Sequence, residues 1–375
     1  MTKHIIVLIT LLVPLQFLGP ASSSSNICAT YEPADKTITV TCKTAGIAEI
    51  YDQLRNEAVL HQESEDGIWL LNANLMIANN SILYINSSDT KWLKISADDE
   101  RALEVSVNGS LKIDSVRITS WSTEKNDFAR LEEEDTSVPR PYIRIEPEAT
   151  GTTDITNSEL AYLGYNGDRR SGLNYYGGNG SQIKENDIHH LWRGFYSKGV
   201  EGINFESNHI HDNHEYGIDP HNRTSNMVIR NNTVHNNGGQ GIICSLNCVN
   251  ITIDNNVVHN NAGSGIMFSR NMSNSTARAN TIYQETECLF VSDSHNNKVY
   301  NNTISQCENA LYLKAGSSNN TLYDNTIKDS TDGIIINDKS ENNIFESNSI
   351  INTEEATKVE RDSNNNIFLH SKIIS

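Results

Sequence analysis

Short apolar segments recur along the chain at a nearly constant spacing. In each one an aliphatic residue alternates with polar neighbours, as in Asn-Asp-Ile-His from Asn186 and Asn-Thr-Val-His from Asn232. The leading asparagines follow one another every 22 to 24 residues, at Asn186, Asn208, Asn232, Asn256, Asn280, Asn302, Asn325 and Asn348. Alternation over so few residues predicts strands, and a fixed period in the low twenties predicts a parallel β-solenoid.

A second column of small residues keeps step with the asparagines. Its members are Gly172, Gly194, Gly217, Gly241, Gly265, Cys288, Ala310, Gly333 and Ala356. We interpret this column as a tight corner, with coils stacked about 4.8 Å apart and the asparagines bonded to one another inside turns. The predicted fold class is therefore all-β, a parallel β-helix with about 22–24 residues per coil. Leucine-rich repeats have a similar period, but their leucine signature is absent.

The chain is predicted to have three regions. Residues 1–23 resemble a secretory signal, because Lys3 precedes an apolar stretch that ends in small residues; a retained membrane anchor is the alternative. Residues 24–67 are expected to form a cap segment, with a helix over residues 47–60. Residues 68–375 form the parallel β-helix domain, in which residues 121–140 break the period and are expected to be a loop. Both readings of the N-terminus place the protein outside the cytoplasm, secreted or at the cell surface, and no transmembrane domain is expected in the mature chain.

Six cysteines in an exported chain favour disulfides. Cys28 and Cys42 are expected to pair. The other four either pair or stay free in the core: Cys244, Cys248, Cys288 and Cys307. Several Asn-x-Ser/Thr sequences are either glycosylation acceptors or simply turn residues.

The formal charge is −18, which argues against nucleic acid as a partner. Acids and bases nearly balance between Leu160 and Ser275, however, so an anionic ligand is compatible with that region.

The segment Tyr216-Gly217-Ile218-Asp219-Pro220-His221 is the candidate site. If Ile218 points inward, alternation sends Asp219 and His221 to the same outer face. The coil register then places Tyr196 and Lys198 one coil before them and Arg270 two coils after them. Pro220 has no N–H group to donate to the hydrogen bonds between strands, so proline is unusual inside a strand. Such an exception on a polar face favours a functional role for the segment.

Histidines also end four of the repeats. They are His189, His211, His235 and His259. We interpret this column as stacked turn residues, with a metal site as the less favoured alternative.

Several motifs in order resemble the mannuronan C5-epimerases. They are Leu163-Gly164-Tyr165-Asn166, Ser171-Gly172-Leu173, Leu191-Trp192-Arg193-Gly194-Phe195-Tyr196 and the segment that ends at His221. The resemblance covers roughly residues 140–270, which are therefore the expected catalytic coils. It implies a right-handed parallel β-helix that converts β-D-mannuronate into α-L-guluronate within an anionic, alginate-like polyuronate.

The resemblance also implies residue roles. His221 is the expected base, Asp219 its companion and Tyr216 the second acid or base. Contacts with the substrate are expected from Arg270, Lys198, Tyr196, Arg193, Arg223, Asn174 and Tyr176. A monomer is expected, with no cofactor and no metal.

This chain departs from the family pattern at three positions. Asn222 stands where the family signature continues with aspartate, Leu246 near a family arginine, and Ser245 where the modular enzymes have an acid. Arg270 or Lys198 is the expected replacement for the missing arginine.

The chemistry explains these residue types. The C5 hydrogen lies next to a carboxylate, so a cation must neutralise that carboxylate before an imidazole removes the proton. Expulsion of the 4-O-linked sugar would make the same site a lyase. A non-catalytic glycan-binding surface protein is the alternative from another class.

Overall fold

The computed structural model describes residues 28–98, 101–131 and 136–374, so the predicted signal at residues 1–23 lies outside the described residues. Within them, one helix and 41 strands form a parallel β-solenoid with three long sheets. Each coil contributes one strand to each sheet, and successive coils pair in parallel. The exceptions are two antiparallel pairs near the N-terminus, Ala29–Glu32 with Thr37–Val40 and Leu60–Ser64 with Ile68–Leu71. The predicted fold class is confirmed.

The strands of sheet 1 are Ala29–Glu32, Thr37–Val40, Asn74–Ile77, Glu104–Val107, Tyr142–Ile145, Gly172–Tyr175, Arg193–Lys198, Ile218–His221, Ile242–Ser245, Ile266–Ser269, Glu287–Ser292, Asn309–Lys314, Asp332–Ile336 and Glu355–Val359. Those of sheet 2 are Ala45–Gly46, Ile82–Asn86, Ser110–Asp114, Thr153–Thr156, Gln182–Lys184, Asn204–Glu206, Val228–Arg230, Thr252–Asp254, Thr276–Arg278, Lys298–Tyr300, Thr321–Tyr323, Ile344–Glu346 and Ile367–Leu369. Those of sheet 3 are Leu60–Ser64, Ile68–Leu71, Trp92–Ser96, Arg117–Trp121, Glu159–Ala161, Asp187–His189, His209–His211, Thr233–His235, Val257–His259, Thr281–Tyr283, Thr303–Ser305, Thr326–Lys328, Ser349–Ile351 and Lys372–Ile374.

The core is a stack of aliphatic side chains between the three sheets. In the coil that carries the candidate site, Ile218, Ile229 and Val234 each point inward from a different sheet and are fully buried. Burying such a side chain contributes about 1.5–3 kcal/mol, and every coil repeats the contribution. The outward positions are thus free to carry polar residues without loss of the core.

The asparagine column forms the predicted ladder. The Asn208 Oδ1 atom accepts hydrogen bonds from the main-chain and side-chain nitrogens of Asn186, and Asn232 does the same for Asn208. The pattern continues to Asn348. These amides are buried, so the ladder satisfies turn groups that water does not reach.

The small-residue column is a close contact between coils. A Cβ atom added at Gly194 would lie 2.5 Å from the carbonyl oxygen of Gly217 and 2.8 Å from Ile210 Cγ2. Larger residues there would push neighbouring coils apart, which explains why the sequence keeps this column small.

The N-terminal helix is shorter than predicted. It spans Ile47–Leu54 and ends where Arg55 adopts a left-handed conformation, with φ of 47°. The predicted extension to residue 60 is wrong, because Leu60 pairs with Leu71 in an antiparallel strand. Strands Thr37–Val40 and Ala45–Gly46 already pair with the next coil, so the sheets begin upstream of residue 68.

Two disulfides are present, and the rest of the cysteine pattern is now assigned. Cys28 pairs with Cys42 as predicted, and Cys288 pairs with Cys307. Cys244 and Cys248 are free and buried in the core. The sequence left open whether these four cysteines pair or stay free. Cys288 and Cys307 pair, whereas Cys244 and Cys248 stay free.

Residues 121–140, which break the period, connect sheet 3 to sheet 1. Their described part is irregular, as predicted. Arg140 anchors its end, because its buried guanidinium donates to the carbonyl oxygens of Gly164 and Leu163. Burial lowers the pKa of Arg140 to about 9. In the described part of the chain, no helix has the length and apolar character needed to cross a membrane.

Candidate active site

Asp219 and His221 lie together on the outer face of sheet 1, as alternation predicted. The strand Ile218–His221 buries Ile218 in the core and turns the other two side chains outward. The Asp219 Oδ1 atom lies 3.6 Å from His221 Nδ1. Neighbouring side chains cover Asp219, which is only 1% exposed, whereas the His221 side chain is 21% exposed.

The His221 Nδ1 atom is engaged from the next coil. Ser245 Oγ lies 2.7 Å from this nitrogen, and Arg270 Nη2 donates to the same hydroxyl at 3.1 Å. No hydrogen bond to Nε2 is present among the described residues. A proton on Nδ1 that points to Ser245 leaves the Nε2 lone pair available to a substrate.

Arg193 holds Asp219 from the other side. Its Nη1 atom lies 3.5 Å from Asp219 Oδ2, and its Nε atom donates to Glu215 Oε2 at 2.6 Å. Burial opposes the charge, but the hydrogen bond to Glu215 and the charge of Asp219 raise the pKa of Arg193 overall. Its charge is thus balanced by two carboxylates, which leaves it to position Asp219 rather than to neutralise a substrate.

One tyrosine borders the histidine, and two more lie close to it through that tyrosine or through Arg193. The Tyr196 ring lies 5.7 Å from the His221 ring, and Tyr176 lies 5.9 Å from Tyr196. The guanidinium of Arg193 lies between Tyr196 and Tyr216, 5.2 and 5.1 Å from their ring centres. Burial raises the pKa of Tyr196 and Tyr216, and it raises that of Tyr176 to about 12, so all three hydroxyls keep their protons near neutral pH.

Exposed cations lie on both sides of His221 along the stack. Lys198 pairs with His221 in register on the preceding strand, and Arg270 follows the strand that pairs with Ser245. Both are exposed, as is Arg223 in the turn after His221. The predicted register is confirmed for these positions.

Asn174 does not fit its predicted role in substrate binding. Its amide is fully buried, accepting from the Ser171 main-chain nitrogen and donating to the Ile143 carbonyl oxygen. Asn174 still pairs in register with Tyr196, as the coil length predicted, but these two hydrogen bonds keep its side chain buried.

Three contributors were missed as site residues. Ser245 was noted only as a departure from a family pattern, although its place in register beside His221 was the signal. Glu215, adjacent to the motif, balances Arg193. Arg169, in a loop without periodicity, has its guanidinium 4.8 Å from the Tyr176 ring centre.

Three overlapping segments of the chain match one protein family, described as periplasmic copper-binding protein (NosD). The matched residues are 101–274, 148–331 and 243–375, which together cover most of the chain. The chain belongs to the NosD family. The matched region includes the whole candidate site.

Curated relatives of this NosD-family chain include mannuronan C5-epimerases. The Pseudomonas fluorescens enzyme is 26% identical over 181 residues, covering 44% of this chain and 32% of the relative. The Azotobacter vinelandii mannuronan C5-epimerase AlgG is 27% identical over 180 residues, covering 44% and 33%. The chain thus spans about a third of the length of these relatives.

Solved structures of the same kind share the fold. The periplasmic alginate epimerase AlgG superposes with a TM-score of 0.78 at 20% identity, covering 90% of this chain and 85% of that one. The AlgE6 A-module, a mannuronan C-5 epimerase of Azotobacter vinelandii, gives 0.62 at 17% identity, covering 82% and 89%.

The family description names copper, and the side chains of this chain that suit copper are histidines and cysteines. The site around His221 offers a single imidazole among the described residues. Burial raises the pKa of Cys248 to about 12 and also raises that of Cys244, which disfavours thiolate ligands. The histidines at the strand ends of sheet 3 do suit copper, because imidazole is a common copper ligand.

Proposed function

We propose that this chain is a C5-epimerase of uronate residues in an alginate-like polymer. The observation that carries the proposal is the arrangement around His221: Nδ1 is occupied by Ser245, a buried carboxylate lies 3.6 Å away, and exposed cations flank the ring. The similarity to mannuronan C5-epimerases supports the substrate class.

The first step transfers the C5 proton to His221 Nε2. The imidazolium that forms is stabilised by Asp219, which Arg193 holds in place. The electron pair left on C5 spreads into the adjacent carboxylate, and the double negative charge that develops there needs a cation. Arg270 is the best placed residue for this, because its guanidinium already reaches the hydroxyl that contacts His221.

The second step returns a proton to C5 from the opposite face. A tyrosine hydroxyl suits this step because burial keeps it protonated. We assign the step to Tyr216. Loss of the proton leaves a phenolate that the nearby Arg193 stabilises, 5.1 Å from the ring centre. The proton taken by His221 then returns to solvent, and Tyr216 takes one from solvent, which restores both groups for the next turnover.

The remaining assignments follow from the same site. A shallow outer face that crosses several coils suits a linear polymer, with Lys198, Tyr196, Tyr176 and Arg223 as contacts. The described chain supplies the base, its carboxylate and the flanking cations, and we propose that it acts as a monomer. An oxidising, extracytoplasmic compartment agrees with the two disulfides.

The decisive experiment is proton NMR of polymannuronate incubated with the protein in deuterated water. The wild type should produce guluronate that carries deuterium at C5, and His221→Ala should produce none. His295→Ala is the matched control, because His295 Nε2 also lies 3.6 Å from an aspartate oxygen, on Asp293. A parallel sample of Tyr216→Phe should lose most of the product.

Each other result has a definite meaning. Unsaturated chain ends with no guluronate, absent from His221→Ala, would identify a lyase that uses the same base. Full product from His221→Ala would refute the assigned base. Binding of the polymer without any reaction, unchanged in His221→Ala and Asp219→Asn, would indicate a glycan-binding protein.

A further inference from the structure

Sheet 3 carries a second polar cluster outside the site around His221. The histidines that end its strands stack in a column, with His211 and His235 ring centres 5.2 Å apart and almost parallel. The stack extends from His189 at one end to His259, which lies against Tyr283. They occupy strand ends rather than the turns that the sequence suggested.

The outward residue two places before the column differs from coil to coil, and in two adjacent coils it is a metal ligand. These residues are Asp187 and His209, which pair in register. Asp187 Oδ1 lies 3.0 Å from His211 Nε2 and 3.3 Å from His209 Nδ1. Donor atoms from the three side chains thus lie within 4.8 Å of one another.

The outer nitrogens of both imidazoles have hydrogen-bond partners. His211 Nδ1 lies 2.7 Å from Asp212 Oδ2, and His209 Nε2 lies 2.8 Å from His235 Nε2. Histidines that bind metals almost always donate their second N–H to such a partner, which fixes the ring and strengthens the ligand. The cluster therefore has the supporting contacts of a metal site as well as its ligands.

We propose that Asp187, His209 and His211 form a binding site for a divalent transition-metal ion, with Asp212 and His235 holding the two imidazoles. In the metal-free chain, His209 Nδ1 and His211 Nε2 donate hydrogen bonds to Asp187 Oδ1. The ion replaces those protons and is bound by the same three atoms, so binding releases protons to solvent. Water completes the coordination, because the Asp187 and His209 side chains are 48% and 47% exposed.

The donor set selects the metal. Two imidazoles and one carboxylate suit Cu²⁺, Ni²⁺ and Zn²⁺, and Cu²⁺ binds most tightly in the series. Ca²⁺ and Mg²⁺ require oxygen ligands, of which the cluster supplies too few. Copper in the family description agrees with this order.

The test is a calorimetric titration of the full chain with Cu²⁺ and, separately, with Zn²⁺. The protein must carry no oligohistidine tag and must first be treated with a chelator. The wild type should bind one Cu²⁺ per chain and release protons, as seen in buffers of different ionisation enthalpy. Electron paramagnetic resonance should show splitting from imidazole nitrogen.

Variants locate the site. His211→Gln and His209→Gln should each weaken Cu²⁺ binding by at least about tenfold. His295→Gln should bind Cu²⁺ like the wild type. His295 contacts Asp293, but no second imidazole lies beside this pair among the described residues. Circular dichroism would verify that the variants fold. Cu²⁺ affinity unchanged in the double variant of His209 and His211, or no saturable binding by the wild type, would overturn the proposal.

Discussion

Replacing Asp219 with asparagine removes one negative charge from beneath His221 with almost no change of shape. The side chain is buried against Arg193 and is 3.6 Å from the imidazole. In the proposed reaction the imidazole becomes cationic only after it has taken the C5 proton. The variant should therefore bind substrate normally and fail mainly in the chemical step.

The distance sets the size of the effect. Two unit charges 3.6 Å apart attract by about 4–5 kcal/mol at an effective dielectric constant of about 20. Since each 1.36 kcal/mol changes a rate by about tenfold, the loss of kcat reaches about 10³-fold at most. Compensation by solvent lowers it, so we expect a decrease of about 10²- to 10³-fold with KM nearly unchanged.

The assay is the initial rate of deuterium incorporation at C5, measured over a range of polymer concentrations. Asp293→Asn is the matched control, because Asp293 Oδ1 lies at the same distance, 3.6 Å, from His295 Nε2 on an exposed surface. It should keep the wild-type rate. If Asp219→Asn stays within about threefold of the wild type, Asp219 does not stabilise the imidazolium.

Other perturbations test the cation, the ladder and a buried acid. Arg270→Met should lower kcat/KM by about 10- to 100-fold, since a hydrogen bond to a charged group contributes about 1.5–3 kcal/mol; an unchanged value would transfer the role to Lys198. Asn256→Ala should lower the free energy of unfolding by about 3 kcal/mol in urea titrations, whereas the exposed Thr281→Ala should change it little. Burial raises the pKa of Glu285 to about 8, which disfavours its charged form in the folded chain. Stability should fall as the pH rises from about 4.5 to about 8, and Glu285→Gln should flatten this slope; an equal slope in both proteins would contradict the burial argument.

Much of the site was predictable because a solenoid converts sequence spacing into spatial position. Once the coil length was known, Lys198, His221 and Ser245 had to lie on neighbouring strands, and alternation had to turn Asp219 outward beside His221. The same reasoning placed Asn174 correctly beside Tyr196 but did not predict its burial, which follows from hydrogen bonds between its amide and main-chain groups. It also passed over Arg169, which lies in a loop with no period to place it.

The sequence by itself determined the coil, its corners and the face on which Asp219 and His221 lie, because these depend on periods of two residues and of one coil. Tertiary structure alone decided which cations are already paired and which stay exposed. Arg193 is balanced by Glu215 and Asp219, whereas Arg270 reaches across a coil to Ser245. It also decided that Cys288 and Cys307 pair while Cys244 and Cys248 remain free. Such outcomes depend on distances between side chains from different coils, and the repeat brings those side chains near one another without fixing their rotamers.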